Sequence, residues 1–595
     1  MDTETKICQN CRSQFVIEPE DFSFYEKMKV PAPTWCPECR MKRRLLFRNE
    51  RILYHRKCDA PGHSESLISV YSPDKQLKVC DQEYWWSDAW DPLDYGSAYD
   101  FSRPFFEQFR DIFNGVFWPN LVNSNGKNSE YCHTVLNLKN CYFVFGAGDS
   151  ENILYSNEVD YGKDSLDLSY SISNELCYQN LFCNECYRVF FSSFSHNSSD
   201  SFFLHDCNGC TNCFGCVGLR NKTCHIFNVP HSKDECAEKI KAFDLSHYSK
   251  LQEMRKMFSE FCLKFPHRYS RLFKSVSSSG DNLWFTKNAQ HCFDSVGEGM
   301  EDAKDVILTF TKVVKDVQSS YSIGNGSSLI YDSISVTGSH DVAFSKKVWT
   351  GNNVRYSFNC HDSSNIFGCV NLRNKSYCIL NRQYTKEDYN SLVPRIIQHM
   401  NEMPYVDRKG NTYGYGEFFP TEISPFAYNE TLAQEYYPLT KQEILSRGYG
   451  WKDSDTKSYA ITLPSAEIPD AIADVSDDII NKIIGCAHGG ECSHQCATAF
   501  RVIPEEIQFY RRMNLPLPRL CPNCRHYERL AQRNPLKLWR RKCQCAGGVS
   551  KNGAYQNTVQ HFHGAGKCPN EFETSYSPER KEIVYCEQCY QAEVA

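Results

Sequence analysis

The sequence lacks several features that would place it in a familiar class. Since it has no run of about 18 consecutive apolar residues, it offers no helix that could span a bilayer. Its start, MDTETKICQNC, has no basic stretch followed by an apolar run. We therefore expect a soluble, cytoplasmic protein with no membrane partner. A phosphate-binding glycine loop, a dinucleotide fingerprint and a zinc-protease helix motif are also missing, and we favour a non-enzymatic function.

The composition indicates a folded multidomain protein. Of its 595 residues, 41% are hydrophobic and 14% aromatic, which is enough apolar surface to offset the entropy of folding. The chain also contains 32 cysteines. Because we see no export signal, we expect reduced thiols, with metal binding as the role of some of them.

The two ends of the chain are related by an ungapped repeat. Ten residues recur at a constant offset: Cys11, Phe15, Tyr25, Pro31, Pro33, Cys36, Cys39, Arg48, Asn49 and Cys58 match Cys496, Phe500, Tyr510, Pro516, Pro518, Cys521, Cys524, Arg533, Asn534 and Cys543. Cysteine pairs separated by two residues are a common way to hold tetrahedral zinc. The repeat therefore predicts a metal-binding module at each end.

In the first module the predicted zinc ligands are Cys8, Cys11, Cys36 and Cys39. In the second they are Cys492, Cys496, Cys521 and Cys524, with His488 and His494 as alternatives because Ser493 stands where the first copy has Cys8. A knuckle followed by a helix that supplies the second cysteine pair, as in Cys8 to Arg44, resembles the treble-clef zinc-ribbon family. The resemblance implies structural zinc and no particular activity.

Each module continues into a second cysteine set near Tyr71-Ser-Pro-Asp and Tyr576-Ser-Pro-Glu. In the later copy the predicted ligands are Cys543 or Cys545, Cys568, Cys586 and Cys589, with His561 and His563 as alternatives. In the earlier copy Cys58, His63 and Cys80 remain, and Glu83 stands where the later copy has Cys589. The weaker ligand set leaves the occupancy of that site open. In total we expect three or four structural zinc ions.

The middle of the chain repeats with a period near 12. Asn, Asp or Ser precedes a small or Cys residue and then an apolar one, as in Asn140-Cys141-Tyr142 and Asn152-Ile153-Leu154. Short strands at a fixed period predict a β-solenoid. FGCVGLRNK from Phe214 recurs as FGCVNLRNK from Phe367, so we expect two solenoid lobes. Ser232/Glu235 and Thr385/Asp388 begin predicted capping helices after them.

The predicted fold is therefore mainly β and multidomain. Its parts are an N-terminal module with an aromatic extension (1–110), a first lobe with its capping helix (129–262), a second lobe with its helix (280–403), an irregular linker (404–485) and a C-terminal module (486–595). Within the extension, residues 84–106 are rich in Trp, Tyr and Phe. We expect them to attach the first module to the solenoid, with an exposed partner surface as the alternative.

Cys207, Cys210, Cys213 and Cys216 are spaced like iron–sulfur ligands. In the second lobe the matching positions are Cys360, Ser363, Ile366 and Cys369. Since two ligands are replaced while the surrounding pattern survives, we favour cysteines stacked in the solenoid interior over a metal cluster.

The net charge of −6 conceals basic ends around an acidic middle. Repeated Lys and Arg on the treble-clef helices can pair with phosphates, and RNA is favoured over DNA. The predicted nucleic-acid ligands are Arg40, Lys42, Arg43, Arg44, Arg48, Arg525, Arg529, Arg533, Arg540, Arg541 and Lys542. In the alternative, these side chains brace the acidic middle of the same chain.

Over nearly its full length the chain resembles long zinc-ribbon proteins of candidate-phyla bacteria, a resemblance that implies architecture and no mechanism. We expect a zinc-binding scaffold whose basic modules contact nucleic acid. A protein–protein assembly scaffold without nucleic acid is the first alternative. The second is a polysaccharide-active solenoid enzyme, whose paired acids would come from Asp160, Asp164, Asp167, Asp200 and Asp206.

Overall fold

The computed structural model describes residues 2–295, 297–453 and 459–594. It is mainly β, with 31% strand and 23% helix, and contains a β-solenoid of about 21 turns. Cysteine-rich modules lie at both ends. The predicted fold class is confirmed.

The N-terminal module begins with an antiparallel hairpin in which Glu4 pairs with Ile17, followed by two helices. Pro19 and Pro37 occupy the first turns of these helices, where a missing N–H costs nothing. The elements are β1 (Glu4–Ile7), β2 (Gln14–Ile17), α1 (Pro19–Met28), α2 (Pro37–Leu45), β3 (Tyr54–Lys57), β4 (Ser66–Ser69), β5 (Lys78–Cys80), α3 (Gln82–Trp86), a 3-10 helix (Pro92–Tyr95), α4 (Phe105–Gly115) and β6 (Phe117–Pro119).

The first lobe is built from parallel coils of 12 residues, so that Glu151 pairs with Lys163 and Asn157 with Ser169. Its elements are β7 (Asn123–Ser124), β8 (His133–Leu136), β9 (Phe145–Gly148), β10 (Glu151–Leu154), β11 (Asn157–Asp160), β12 (Lys163–Leu166), β13 (Ser169–Ile172), β14 (Tyr187–Phe190), β15 (Ser199–His205), β16 (Phe214–Val217), β17 (His225–Ile226), β18 (Val229–Pro230), α5 (Lys233–Ala242) and α6 (Tyr248–Cys262).

The polar residue of the repeat unit occupies a left-handed backbone position. Asn140 and Asn152 have φ of 52° and 56°, a conformation that Asn tolerates better than most residues. The side-chain amide of Asn140 also donates to Asn152 one coil later, at 3.1 Å. The next residue points into the solenoid, as the buried Cys141 and Ile153 do. The preference of Asn for left-handed backbone and the narrow solenoid interior therefore explain why this residue pattern repeats along the sequence.

The second lobe uses the same 12-residue register, for example His340 with Asn352, but lengthens to 14 residues where Met300 pairs with Val314. Before the lobe, β19 (Pro266–Arg268) pairs with residues 583–585 of the C-terminal module. The elements of the lobe are β20 (Leu272–Phe273), β21 (Gly280–Trp284), β22 (Lys287–Gln290), β23 (Cys292–Ser295), β24 (Met300–Phe310), β25 (Val314–Gly324), β26 (Ser328–Tyr331), β27 (Ile334–Thr337), β28 (His340–Ala343), β29 (Lys346–Trp349), β30 (Asn352–Arg355), β31 (Phe358–His361), β32 (Ser364–Phe367), β33 (Ser376–Ile379), β34 (Arg382–Gln383) and α7 (Lys386–Glu402).

Helices follow both lobes where the sequence predicted them. A capping box of Ser232 and Glu235 begins α5, and the Thr385 side chain accepts from the Asp388 N–H at the start of α7. After α5, Phe243 stacks on Phe214 of the first lobe with ring centroids 4.3 Å apart. These helices cover apolar surface at the end of each solenoid lobe.

The remaining chain contains short elements and the C-terminal module. The elements are β35 (Tyr405–Val406), β36 (Thr412–Tyr413), 3-10 helices (Thr421–Ile423 and Tyr428–Glu430), α8 (Leu432–Tyr436), α9 (Lys441–Ser446), further 3-10 helices (Ser465–Glu467, Ile472–Asp474 and Asp477–Asn481), β37 (Ile484–Gly485), β38 (Ala499–Phe500), α10 (Pro504–Met513), α11 (Pro522–Leu530), β39 (Trp539–Lys542), β40 (Glu571–Thr574), β41 (Ile583–Tyr585) and α12 (Glu587–Val594). Phe418 and Phe419 in the predicted linker are fully buried.

The two terminal modules pack on the solenoid in a crossed arrangement. The N-terminal module contacts the second lobe, where Arg40 donates to the Tyr331 hydroxyl at 3.0 Å. The C-terminal module contacts the first lobe, where Arg533 donates to the Tyr170 hydroxyl at 3.0 Å. Each module therefore packs on the lobe that is more distant along the chain, and it also contacts the nearer lobe, as Arg51 does at Asn157 and Ser575 does at Asp281.

The aromatic extension attaches the first module to the second lobe, as the sequence predicted. Trp85 is 1% exposed, and its ring lies 5.7 Å from that of His361. Arg373 covers the Trp85 ring at 5.2 Å and donates to the Trp85 carbonyl. Trp86 remains 48% exposed. Most of this aromatic surface is therefore used inside the molecule.

Candidate metal centres

In the N-terminal module the four predicted cysteines lie together, their sulfur atoms within 4.8 Å of one another. Cys8 follows β1, and Cys36 and Cys39 lie at the start of α2. The sulfurs of Cys11 and Cys36 are 3.7 Å apart. Two thiolates on one tetrahedral zinc are about 3.8 Å apart, because Zn–S bonds are about 2.3 Å long. The group has the geometry of a closed four-thiolate metal site.

The corresponding site of the C-terminal module contains Cys486, Cys496, Cys521 and Cys524. This corrects the assignment of Cys492 to this set. The physical reason is the position of Cys486, which directly follows β37 as Cys8 follows β1, and whose sulfur lies 3.8 Å from that of Cys524. Cys492 belongs to a second group, with His488, His494 and Cys524.

The second cysteine set of the C-terminal module also assembles. Cys543, Cys568, Cys586 and Cys589 form a buried four-cysteine group, with 3.8 Å between the sulfurs of Cys568 and Cys586. Cys545, which the sequence could not separate from Cys543, lies instead in a group with His561, His563 and Cys589. The residues treated as alternatives thus form a neighbouring ligand set of their own.

Close packing of the thiols changes their acidity. Hydrogen bonds from Cys36 and Cys39 lower the pKa of Cys8, and those from Cys521 and Cys524 lower the pKa of Cys486. Hydrogen bonds from two neighbouring thiols likewise lower the pKa of Cys586. Each four-cysteine group therefore contains one thiol favoured as a thiolate, the form that binds metal.

The earlier copy of the second site differs from its prediction. The Asp81 carboxylate lies 3.0 Å from His63 Nδ1 and 3.5 Å from Cys58 Sγ. The Cys80 sulfur instead lies 3.7 Å from the carbonyl oxygen of Trp118. Asp81 immediately precedes α3 as Cys586 precedes α12, so the matching positions are shifted by one residue from the predicted alignment. Metal binding by Cys58, His63 and Cys80 remains a prediction.

The arginines of α2 and the turn after it point into the protein. Arg43 donates to Glu417 at 2.8 Å and to Asp332 at 3.4 Å, and Arg44 pairs with the same Asp332. Arg48 donates to Ser335 at 3.0 Å. All three arginines and Asp332 are buried.

The C-terminal module repeats this pattern on the other lobe. Arg525 contacts Asp167 at 2.9 Å and Glu506 at 3.1 Å, and Arg529 contacts Asp167 at 2.8 Å. Burial opposes the charge of Arg525, but the neighbouring Asp167 and Glu506 carboxylates, with Tyr510, raise its pKa well above its ordinary value. A buried guanidinium is stabilised here by carboxylates of the same chain.

These contacts correct the assignment of the basic helices as exposed phosphate-binding faces. Buried side chains that already pair with carboxylates cannot reach an external phosphate. Six of the predicted nucleic-acid ligands are buried, namely Arg40, Arg43, Arg44, Arg48, Arg525 and Arg529. All but Arg40, which donates to the Tyr331 hydroxyl, pair with carboxylates. These arginines instead make contacts within the same chain, which is the alternative that the sequence left open.

Of the remaining predicted basic ligands, Arg533 donates to the Tyr170 hydroxyl and covers the Tyr436 ring inside the molecule. The other four lie closer to solvent. Arg540 and Lys542 in β39 have side chains 80% exposed, and both lie near Glu571. Arg541 is partly buried and donates to the Ser577 carbonyl at 3.0 Å. Lys42 pairs with Glu38 on its own helix. Nucleic-acid contact by these residues remains a prediction.

The cysteine run from Cys207 to Cys216 lies inside the first lobe. All four residues are buried in one cluster with Leu204. The Cys207 thiol donates to the carbonyl of Cys216 at 3.4 Å, and the Cys216 thiol donates to that of His225 at 3.3 Å. A spacing of three places all four on the inward face of one coil. Packing as small apolar side chains accounts for them.

The carboxylates considered for a polysaccharide-active enzyme are partly used in ion pairs. Asp167 holds Arg525 and Arg529, while Asp206 pairs with Arg220 at 3.0 Å and accepts from Tyr590. Burial raises the pKa of Asp160 to about 6. Asp167 and Asp206 act as contacts between the first lobe and the C-terminal module.

Sequence reasoning missed Cys486 and Asp81. Cys486 was hidden because nine residues separate it from Cys496, whereas only two residues separate Cys8 from Cys11. The strand before each first cysteine was the signal that could have identified it. For Asp81, the signal was the ungapped alignment of Tyr71 with Tyr576, which places Asp81 opposite Cys586.

No family model matches the chain, and no curated protein matches it. The solved structures that match include one described as "putative acetyltransferase from Desulfovibrio desulfuricans G20". It is 10% identical and aligns over 52% of this chain and 78% of that one, with a TM-score of 0.11. Similarity this low carries no argument about fold or function. Among the described residues, no helix is long and apolar enough to cross a membrane.

Proposed function

We propose that this protein is a non-enzymatic, metal-stabilised scaffold in which each terminal module fastens the distant lobe of a two-part solenoid. The observation that carries the proposal is the pair of buried Asp-centred ion clusters, Arg43/Arg44 with Asp332 and Arg525/Arg529 with Asp167. In both, the arginines come from the helix that begins at a four-cysteine group. Holding the metal would therefore hold the helix, and through it the lobe.

The proposed metal is zinc in a structural role. Four cysteine ligands complete a tetrahedral shell and leave no position for a reacting water. Small modules of this kind commonly depend on the ion for folding, because metal binding free energy becomes folding free energy. Family membership in the treble-clef zinc ribbons is part of this proposal, and the four-cysteine geometry supports it.

A central hydrogen-bond relay also links the two lobes. The Tyr436 hydroxyl lies 2.5 Å from that of Tyr170 in the first lobe and 3.2 Å from that of Tyr321 in the second. Arg533 and Arg48 cover Tyr436 and Tyr321 at 4.6 and 5.0 Å. These contacts support a fixed relation between lobes and modules, as a scaffold requires.

Metal removal from the full chain tests this function. Native protein should contain metal by mass spectrometry, and a strong chelator should increase amide hydrogen exchange in α2 and α11 while the solenoid interior stays protected. Cys36→Ser/Cys39→Ser should reproduce the effect in α2 alone. The matched control is Cys183→Ser/Cys369→Ser, two buried interior positions that neighbouring coils fill with Ser171 and Ser195 or with Ser345 and Ser357. Metal-free protein with unchanged exchange would refute the proposal.

RNA contact is a separate part of the proposal, and we assign it to the exposed side chains of β39. The exposed Arg540 and Lys542 side chains support it. Fluorescence anisotropy with a single-stranded RNA should show binding that weakens with salt and falls further in Arg540→Gln/Lys542→Gln. If native protein shows no binding at low salt, a protein partner without nucleic acid becomes the favoured reading of the scaffold.

A further inference from the structure

Two cysteines of the C-terminal module each belong to two ligand groups. Cys524 completes both the four-cysteine group and the group of His488, Cys492 and His494. Cys589 likewise completes both its four-cysteine group and the group of Cys545, His561 and His563. Each shared residue is the second cysteine of a Cys-x-x-Cys turn at the start of a helix, α11 or α12.

The sulfur distances around Cys524 fit two metal ions. Its Sγ lies 3.8 Å from that of Cys486 on one side and 3.7 Å from that of Cys492 on the other. Both distances match the edge of a zinc–thiolate tetrahedron, about 3.8 Å for Zn–S bonds of about 2.3 Å. Cys524 therefore lies where two such tetrahedra would share a corner.

Unpaired imidazole nitrogens provide an independent indication of a ligand. The Nδ1 atoms of His488 and His494 are buried and have no hydrogen-bond partner among the described residues. A buried nitrogen left without a partner is costly, and a metal ion would remove that cost. The two rings lie 5.3 Å apart, and His494 stacks on Tyr527 at 5.5 Å, which restricts its orientation.

In the ligand group around Cys589, hydrogen bonds fix the orientation of both histidine rings. His561 Nε2 donates to the Glu593 carboxylate at 2.8 Å, while its buried Nδ1 has no partner within the described part of the chain. His563 Nδ1 donates to the Gly566 carbonyl at 2.9 Å, and its Nε2 faces Cys589 Sγ at 3.3 Å. Metal-binding histidines commonly have their other nitrogen held by a carboxylate or carbonyl in this way.

The N-terminal module provides an internal comparison. Its first two cysteines, Cys8 and Cys11, enclose only two residues, whereas the segment between Cys486 and Cys496 carries His488, Cys492 and His494. In the N-terminal site Asn10 donates to Cys39 Sγ at 3.3 Å. Cys39 matches Cys524 in the repeat, so an amide contacts the thiol that faces the extra ligands in the C-terminal copy.

From these observations we propose that each four-cysteine site of the C-terminal module is half of a two-metal cluster, with Cys524 or Cys589 as the bridging thiolate. Each cluster has five cysteine and two histidine ligands for two divalent ions such as zinc. With five thiolates and neutral imidazoles, the cluster keeps one net negative charge. The inference rests on the proposed metal-stabilised modules and adds a second ion at each of two sites.

Metal counting on the full chain tests the second ion directly. His488→Gln/His494→Gln should lower the zinc content by one ion per chain, and His561→Gln/His563→Gln by one more when combined. The control is His340→Gln, because His340 is an exposed solenoid residue whose Nδ1 contacts Ser328 at 2.9 Å. Unchanged zinc content in both double variants would overturn the proposal and leave the scaffold proposal standing. Protein without any zinc would overturn both.

Cadmium-113 NMR of the cadmium-substituted full chain tests the bridge. Two ions joined by one thiolate should give pairs of resonances coupled to each other. In His488→Gln/His494→Gln one pair should collapse to a single uncoupled resonance, while the pair at Cys589 stays intact. Four uncoupled resonances from the C-terminal module, beside the single one from the N-terminal four-cysteine site, would show separate mononuclear sites and would refute the bridging thiolates.

Discussion

Asp332→Asn provides a direct test of the buried contact between the N-terminal module and the second lobe. Asp332 lies between Arg43 and Arg44, with all three side chains at most 1% exposed. Asn is nearly the same size and tolerates the left-handed backbone at this position, where φ is 41°. The substitution therefore removes one charge with little change in shape. It leaves Arg44 without this carboxylate, while Arg43 keeps Glu417.

The expected cost follows from burial. Removing one partner of a buried ion pair costs about 3–5 kcal/mol, since it leaves a charge uncompensated. If this cost falls on the docking of α2, opening of the helix should become roughly 150- to 5,000-fold more frequent. Amide hydrogen exchange of the peptide spanning 37–47, followed by mass spectrometry on the intact protein, measures that change.

Two further variants sharpen the measurement. The exposed control is Asp111→Asn, which removes a carboxylate that lies 2.9 Å from Arg103 and whose side chain is 57% accessible. It should change the free energy of opening, as measured by hydrogen exchange, by about 1 kcal/mol or less. Adding Arg44→Leu to Asp332→Asn should restore part of the protection, because the uncompensated charge is gone. If amide exchange in Asp332→Asn stays within threefold of the native rate, the buried ion cluster does not hold α2 on the second lobe.

Three other outcomes are expected. Burial lowers the pKa of His361 to about 4, so below pH 6.5 the unfolded state takes up a proton that the native state does not. The free energy of unfolding of the native protein should therefore fall, relative to that of His361→Gln, by about 1.4 kcal/mol per pH unit down to pH 4. Parallel pH profiles of urea unfolding for the two proteins would contradict this. Cys213→Ser should keep its full metal content by mass spectrometry, because Cys213 packs inside a coil, and loss of an ion would show a cluster there. Tyr436→Phe removes the hydrogen bonds to Tyr170 and Tyr321 and should weaken the contact between the lobes by about 1–3 kcal/mol. Amide hydrogen exchange around both tyrosines should then be faster than in the native protein. Equal exchange would argue against the relay.

The solenoid was predictable because its cause is local. Asn140 and Asn152 favour left-handed backbone, and each is followed by a residue small enough for the interior. The repeat of these two preferences is visible in the sequence without any tertiary information. The four-cysteine group of the N-terminal module was predictable for the same reason, because short spacing forces Cys8 and Cys11 together.

The partners of the basic helices were not predictable in this way. Charge alone could not distinguish an arginine that faces solvent from one that faces a carboxylate 288 residues later, as Arg44 faces Asp332. Cys486 was missed because a long insertion separated it from Cys496, and only the preceding strand places it in the site. Both errors concern contacts fixed by tertiary packing.

The crossed attachment of the modules also has a consequence for synthesis on the ribosome. The N-terminal module emerges first, yet Asp332, its buried counterion, follows Arg44 by 288 residues. At about 5–20 residues per second, roughly 15–60 s of translation separate the two. During that interval the arginines of α2 have no acidic lobe to receive them, and the nascent module would remain accessible to chaperones until the second lobe is complete.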